Sequence, residues 1–184
     1  MDISGTTRVI AHLGYPTESF KAPLIYNPYF AAHGIDAVVV PMGCRADDYR
    51  CVLPAVSRLS NFLGALITMP HKVSTLEFLD EASTTVKVAG SCNAVRRDEE
   101  GRLIGEMFDG EGFVRGVERK GRRLAGASAL IVGCGGVGSA IAASLVKAGI
   151  VRLGLRETDR SRVEAVGTRL RKHYPQVAIA LEPA

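Results

Sequence analysis

The stretch Gly64–Lys72 places a lysine where ligands and catalytic groups often lie. The apolar run 65–67 predicts a short buried strand, and Thr68-Met69-Pro70 predicts the turn that ends it. Pro70 favours the first turn of a following helix. Lys72 is therefore expected just beyond the carboxyl end of a strand, where open α/β sheets bind their ligands. Such a lysine is either a solvated cation at a helix start, which is the commoner case, or an acid–base group.

Two further polar residues could face the same cleft as Lys72. Asn93 and Asp109 each follow a predicted strand or lie at a predicted domain junction. A lysine beside a carboxylate can share proton transfer with a substrate hydroxyl. Taken singly, each of the three is more often a surface group than a catalyst, so their chemistry depends on being brought together.

A glycine-rich loop forms the second chemical motif. The pattern Gly133-x-Gly135-x-x-Gly138 lies between a predicted strand at 127–132 and a predicted helix at 139–148. This context predicts a dinucleotide-binding turn, in which the glycines allow a tight turn, close approach of a pyrophosphate and close helix packing. The helix N-terminus adds free N–H groups and partial positive charge. The residues expected to contact the cofactor in this loop are Gly133, Gly135, Gly136, Val137 and Gly138.

The choice between NADP and NAD is expected at the end of the next strand, at 155–160. An arginine there suits a 2′-phosphate, and an acidic residue suits a ribose 2′-hydroxyl. Arg156 comes first after the strand and Arg160 lies one helical turn further on, which favours NADP. Glu157 keeps NAD as an alternative, and these residues could also be ordinary loop charges.

Strand and helix signals alternate along the chain, which predicts an α/β fold with a mostly parallel sheet. The predicted strands are 8–14, 36–41, 65–67, 93–97, 102–105, 127–132, 151–155 and 177–181. The predicted helices are 23–33, 47–61, a helix after Pro70, 80–87, 139–148 and 159–173. The segments 93–97 and 102–105 flank Asp98-Glu99-Glu100-Gly101, which is a hairpin signal.

The composition changes between Asp109 and Gly126, where glycines are interspersed with basic residues. We place the domain boundary there, so that residues 1–110 form an N-terminal α/β domain. Residues 111–184 then form the first half of a nucleotide-binding Rossmann domain. Because a six-stranded Rossmann sheet needs three more strands after 177–181, we interpret the sequence as a truncated form of a longer protein.

Composition excludes several classes of protein. The chain has 184 residues with a formal charge of +4, 6% aromatic residues and no Trp, and its basic residues lack a stacking platform, so nucleic-acid binding is not expected. The apolar stretches are too short for a membrane span, and we expect no secretory signal because Asp2, rather than a basic and then apolar stretch, follows Met1. The four cysteines lack metal-site spacing, so we expect reduced thiols, no metal site and a cytoplasmic location.

The motifs also carry a family resemblance. The order and spacing of the residues that surround Lys72, Asn93, Asp109 and the glycine loop resemble those of shikimate dehydrogenases, over essentially the whole chain. The matching motifs are Gly14-x-Pro16, Lys21-x-Pro23, Thr68-x-Pro70-x-Lys72, Gly90-x-x-Asn93-Ala94-Val95, Gly105-x-x-x-Asp109-Gly110 and the glycine loop.

The resemblance implies a function for each part. Residues 1–110 would bind the substrate, a carboxylated cyclitol such as shikimate, and the protein would act in aromatic amino acid biosynthesis. Lys72 and Asp109 would be the catalytic pair at the hydroxyl that is oxidised with NADP or NAD. The substrate-binding residues implied are Thr68, Asn93, Lys21, Phe20 and Ala22. A monomer or homodimer is expected.

Five positions depart from the family pattern. Phe20 and Ala22 replace two serines that hold the substrate carboxylate in the family, Leu66 replaces an asparagine, and Met107-Phe108 replaces Asn-Thr. A site that hydrogen-bonds its substrate loses discrimination when those groups are removed. We therefore expect retained chemistry on a different substrate, with quinate or aminoshikimate as variants. A non-catalytic nucleotide-sensing protein is the second alternative.

Overall fold

A mixed sheet forms the core of the N-terminal part of the chain. The computed structural model describes residues 2–182. It has the strand order β2-β1-β3-β5-β6-β4 in this sheet, with β1 parallel to both β2 and β3, and β5 antiparallel to β3. The strands are β1 (Arg8–Gly14), β2 (Ala37–Gly43), β3 (Phe62–Ile67), β4 (Glu81–Ala82), β5 (Ala94–Arg97) and β6 (Leu103–Glu106).

Two helices, α1 (Ala22–Ala32) and α2 (Tyr49–Ser57), accompany this sheet, and 3₁₀ turns lie at Thr17–Ser19 and Ser74–Phe78. The side-chain amide of Asn27 on α1 donates to Val39 O (3.1 Å) and accepts from Val39 N (2.8 Å). These two bonds satisfy the backbone N–H and C=O of Val39 on β2, which is the first strand at one edge of the sheet.

The C-terminal part of the chain is a βαβαβ unit preceded by two helices. The strands β7 (Ser128–Val132), β8 (Arg152–Arg156) and β9 (Ala178–Glu182) form a parallel sheet in the order β7-β8-β9. The helices are α3 (Thr84–Ala89), α4 (Asp109–Arg119), α5 (Gly136–Lys147) and α6 (Arg160–His173). This is the arrangement of the first half of a Rossmann sheet, as the sequence predicts.

Contacts divide the chain into two units. The first unit comprises residues up to Glu81 together with Asn93–Gly105, and the second comprises Ala82–Cys92 and the residues from Glu106 onward. Residues 82–92 and 106–110 thus lie in the second unit, whereas the sequence analysis placed them in residues 1–110. The reason is that α3 packs on α5 and α6, and α4 packs on α5.

Gly110 and Arg169 allow α4 and α3 to pack on the other helices of the second unit. A β-carbon at Gly110 would collide with the carbonyl oxygen of Ala140, so only glycine lets α4 approach α5 this closely. Arg169 of α6 donates to Val88 O (3.0 Å) and to Ala89 O (3.2 Å). Its guanidinium thereby satisfies carbonyl groups at the C-terminus of α3, where cations are favourable.

Four sequence expectations need correction. A 3₁₀ turn at Ser74–Phe78 replaces the helix expected after Pro70, and β4 with α3 replaces the helix expected at 80–87. Residues 109–119 form α4, whereas the sequence predicts a domain boundary and no helix there. The strand at 127–132 is β7; its apolar run predicts a buried strand, but Leu130 and Val132 are 53% and 72% exposed. Each error arises because local composition does not show which surface will pack on the segment.

None of the helices within residues 2–182 has the length and hydropathy needed to cross a membrane.

Candidate functional site

Backbone hydrogen bonds tie the loop that carries Lys72 to the end of β1. Thr68 N donates to Leu13 O (2.9 Å), and Tyr15 N donates to Met69 O (2.9 Å). His71 N then donates to Thr68 O (2.9 Å), which closes the turn before Lys72. Lys72 is half-buried. Residues 68–72, which we call the Lys72 loop, therefore lie at the carboxyl ends of β1 and β3, as the sequence predicts.

The sequence analysis missed an anchor beneath this loop. The ring of His71 is 1% exposed and stacks on Tyr49, with 3.9 Å between the ring centroids. Its Nε2 hydrogen-bonds with Cys44 O at 2.7 Å, and Thr75 Oγ1 donates to His71 O at 2.7 Å. No sequence signal identified this contact, since Cys44 lies 27 residues away. The anchor holds the backbone that carries Lys72.

Burial of His71 makes stability depend on pH. Burial lowers the pKa of His71, against a smaller opposing effect from its bond to Cys44 O. Well above pH 6.5, the ordinary pKa of histidine, both the folded and the unfolded states are neutral at this residue. As the pH falls through about 6.5, the unfolded state takes up the proton before the folded state does, so the free energy of unfolding decreases. We expect urea midpoints to fall between pH 6.5 and 5.

The control for this pH dependence is a pair of histidine variants. His71→Gln keeps an N–H near the position of Nε2 but does not titrate, so its midpoint should depend less on pH than that of the wild type. His173→Gln changes an exposed histidine, so it should keep the wild-type pH dependence. An unchanged slope in His71→Gln would contradict the prediction.

All five predicted substrate-binding residues lie in the first unit. Phe20 is half-buried, and Lys21 is exposed directly before α1, which begins at Ala22. Asn93 is half-buried beside the end of β3, where its carbonyl accepts from Ile67 N at 2.8 Å. With Thr68 and Lys72, these residues surround the ends of β1 and β3.

Asp109 belongs to the second unit. It is the first residue of α4, where a carboxylate is stabilised by the helix N-terminus. Its pairing with Lys72 in catalysis therefore stays a prediction. Gly110 follows it and is fully enclosed between α4 and α5, which fixes the backbone that presents this carboxylate.

The glycine loop has the backbone that a dinucleotide fingerprint requires. Gly133 has φ +93°, and its N–H donates to Arg156 O at 2.9 Å. A β-carbon at Gly138 would collide with Gly133 O, so the helix can start this close to the strand only with glycine there. A β-carbon on Gly135, by contrast, would meet no atom of residues 2–182 within 4 Å apart from its chain neighbours. The space above Gly135 is thus open to a ligand at the N-terminus of α5.

Glu157 braces this loop. Its carboxylate accepts from Cys134 N (2.8 Å), Thr158 N (2.9 Å) and Asp159 N (3.3 Å). The bond from Cys134 N, followed by that from the Thr158 hydroxyl, lowers the pKa of Glu157. The sequence analysis weighed Glu157 only as a ribose ligand or a loop charge. Its role in holding the loop became visible because the fold brings Cys134 and Glu157 together.

The two arginines proposed for the 2′-phosphate differ in their surroundings. Arg156 ends β8 and is exposed. Arg160 begins α6 and is paired with Glu164, with 2.8 Å between Nε and Oε1. Among residues 2–182, no cluster of three metal-ligating side chains occurs.

Known proteins are similar to this chain in sequence and in fold. Residues 13–95 match the family model of the shikimate dehydrogenase substrate binding domain. The NADP(+) shikimate dehydrogenase of Symbiobacterium thermophilum is 32% identical over 160 residues, which cover 87% of this chain and 54% of that protein.

Two solved structures resemble the chain. Shikimate 5-dehydrogenase from Listeria monocytogenes superposes with a TM-score of 0.90 at 23% identity, and covers 100% of this chain and 63% of its own. Quinate dehydrogenase from Corynebacterium glutamicum, solved in complex with NAD, has a TM-score of 0.84 at 29% identity. That match covers 96% of this chain and 64% of the quinate dehydrogenase.

The chain thus spans between about one half and two thirds of the length of these three proteins. The similarity extends from β1 to the end of the described sheet and includes both the Lys72 loop and the glycine loop. The chain belongs to the shikimate dehydrogenase family.

Proposed function

We propose that the protein is an NADP-dependent oxidoreductase of the shikimate dehydrogenase type. Its reaction would be the reversible oxidation of a ring hydroxyl of shikimate or a similar carboxylated cyclitol. The observation that carries this proposal is the Lys72 loop, which backbone hydrogen bonds hold at the carboxyl ends of β1 and β3. The name of the Symbiobacterium relative supports the same activity.

Lys72 and Asp109 act on the proton of the substrate hydroxyl. In the oxidative direction the hydroxyl gives up its proton to this pair, and the hydrogen on the same carbon leaves with its electron pair as hydride. In the reductive direction the pair returns the proton to the carbonyl oxygen. Proton transfer by positioned side chains of this kind accelerates a reaction by about 10²–10⁴-fold.

The residues of the glycine loop fit a dinucleotide. The open space above Gly135 and the N-terminus of α5 would receive the pyrophosphate. When bound, the nicotinamide supplies the hydride acceptor. Arg156, exposed at the end of β8, would bind the 2′-phosphate of NADP. Arg160 would contribute less, because Glu164 already pairs with it.

A quinate-type activity with NAD is the second candidate. It is favoured by the position of the Glu157 carboxylate at the end of β8, since negative charge there opposes a 2′-phosphate. The Corynebacterium quinate dehydrogenase, whose structure contains NAD, supports this candidate.

A cytoplasmic location and a monomeric or homodimeric state complete the proposal. Cys44, Cys51 and Cys134 are free thiols, which suits a reducing compartment.

The test is reduction of nicotinamide at alkaline pH by the full chain. Shikimate, quinate and aminoshikimate would each be paired with NADP and with NAD, and the ratio of kcat/KM values names the substrate and cofactor. We expect turnover with at least one pair. Cofactor binding without turnover across the whole panel would contradict the proposal and favour a nucleotide-sensing role.

A further inference from the structure

His12 on β1 contains an unusual buried polar atom. Its side chain is 7% exposed, and among the described residues its Nδ1 is buried without a hydrogen-bond partner. More than nine in ten buried polar groups in proteins have a partner, and an unpaired one reduces stability. The contacts among the described residues therefore do not explain why a histidine is buried here.

The strand register places His12 on the face of the sheet that leads to the Lys72 loop. His12 lies opposite Pro41 in β2 and Leu66 in β3. Side chains two residues apart in a strand share a face, so Gly14 follows His12 on this face. A β-carbon on Gly14 would meet Phe20 Cζ at 3.0 Å and Met69 O at 2.8 Å. His12, Phe20 and the Lys72 loop are thus neighbours within the first unit.

Phe20 covers one side of the imidazole. The two rings are stacked, with 4.0 Å between centroids and 30° between their planes. Burial, and secondly the charge of Lys72, lower the pKa of His12, so the imidazole is neutral near pH 7. A neutral imidazole offers one donor and one acceptor. The phenyl ring covers one face of the imidazole, and Nδ1 has a hydrogen-bonding capacity that no described residue uses.

The charges nearby indicate the chemical class of that ligand. Lys72 affects His12 electrostatically, and Lys21 is adjacent in sequence to Phe20. Cations beside a neutral hydrogen-bonding ring suit an anion that also carries hydroxyl groups. The apolar ring of Phe20 suits a compact carbon ring. These features together fit a hydroxylated cyclic carboxylic acid.

We propose that His12 is a substrate-binding and specificity-determining residue, whose Nδ1 hydrogen-bonds with an oxygen of a hydroxylated cyclic acid while Phe20 covers the imidazole. This inference rests on the proposed function for the class of substrate. It adds a polar contact on β1, where the sequence predicted a strand and no site residue, and it assigns Phe20 a supporting role against His12.

The experiment compares two substitutions of similar size that differ in polarity. His12→Leu removes the polar atom and keeps an apolar side chain, whereas His12→Asn keeps a polar atom near the position of Nδ1. We expect His12→Leu to raise the dissociation constants for shikimate and quinate, measured by calorimetry, by about tenfold or more. His12→Asn should restore affinity to within about threefold of the wild type.

Thermal unfolding separates this role from a structural one. Since His12→Leu removes an unpaired buried polar atom, its Tm should equal or exceed that of the wild type while its affinity falls. His33→Leu, which changes an exposed histidine on the same unit, should alter neither affinity nor KM. A His12→Leu protein with wild-type affinity would show that a buried water or nothing at all satisfies Nδ1, and would overturn the inference.

Binding of a cyclic acid and its oxidation are measured separately, so failure of the His12 inference can be distinguished from failure of the proposed function. If the wild type binds a cyclic acid but turns over none, and His12→Leu abolishes the binding, then the oxidoreductase proposal fails and the inference about His12 stands. If the wild type binds no member of the panel, the inference is overturned. Turnover that is unaffected by His12→Leu would leave the proposed function in place and overturn the role of His12.

Discussion

Replacing Lys72 with alanine is expected to lower kcat by about 10²–10⁴-fold, because the substrate hydroxyl then lacks its partner for proton transfer. Lys72 is half-buried on a loop that is bonded to the end of β1, so the change should leave the fold intact. Cofactor affinity, measured by NADPH fluorescence, should stay within about twofold of the wild type. The assay is steady-state nicotinamide reduction with the best substrate and cofactor pair.

Two variants control for charge and for general damage. Lys72→Arg keeps the positive charge but cannot be deprotonated at accessible pH, so its kcat should remain close to that of Lys72→Ala. Lys172→Ala removes an exposed cation of α6 and should behave as the wild type does. If Lys72→Ala retained more than about a tenth of wild-type kcat, Lys72 would be a solvated surface cation.

Replacing Gly135 with alanine is the second prediction with a large expected effect. A β-carbon there meets open space in the apo protein, and the backbone (φ −71°, ψ −173°) suits any residue. Stability should therefore fall by no more than about 1 kcal/mol, the cost of alanine in place of glycine at the N-cap of α5. If the loop receives a pyrophosphate, the new methyl group occupies its path, and the cofactor dissociation constant should rise by about 10- to 100-fold, or about 1.4–2.7 kcal/mol.

Gly112→Ala is the matched control for Gly135→Ala. Gly112 lies in α4 of the same unit and also has open space around its β-carbon position. Alanine there should stabilise the helix slightly and leave cofactor affinity alone. Equal cofactor affinity in Gly135→Ala and the wild type would mean that the glycine loop is a turn that binds no ligand.

Local patterns determined the type of most elements. The unalternating apolar run before residue 41 predicted a buried strand, and β2 lies there. The strand predicted at 151–155 is β8. The glycines of 133–138 predicted a dinucleotide turn because their backbone demands are local: a positive φ at Gly133 and a close approach at Gly138. The turn of Thr68-Met69-Pro70 likewise placed Lys72 beyond β3.

The elements that sequence analysis misread depend on distant partners. Residues 109–119 contain three glycines and lie where the change in composition suggested a domain boundary. They form a helix because Gly110 lets it pack on Ala140 of α5. The short helix α3 is held at its C-terminus by Arg169, about 80 residues away. Helix and strand propensities depend on residues that are close in sequence. They cannot predict contacts between distant segments, because such contacts stabilise the protein only once it has folded.

Within the site, the sequence by itself determined which residues could do chemistry: a lysine after a strand, a carboxylate after another, and a glycine loop before a helix. Only the tertiary structure decided what surrounds them. In the folded protein Phe20 stacks on His12, and His71 is buried against Tyr49 and Cys44. The Glu157 carboxylate accepts a hydrogen bond from Cys134 N. The physical reason is that backbone turns follow from neighbouring residues, whereas burial and hydrogen-bond partners follow from segments that folding brings together.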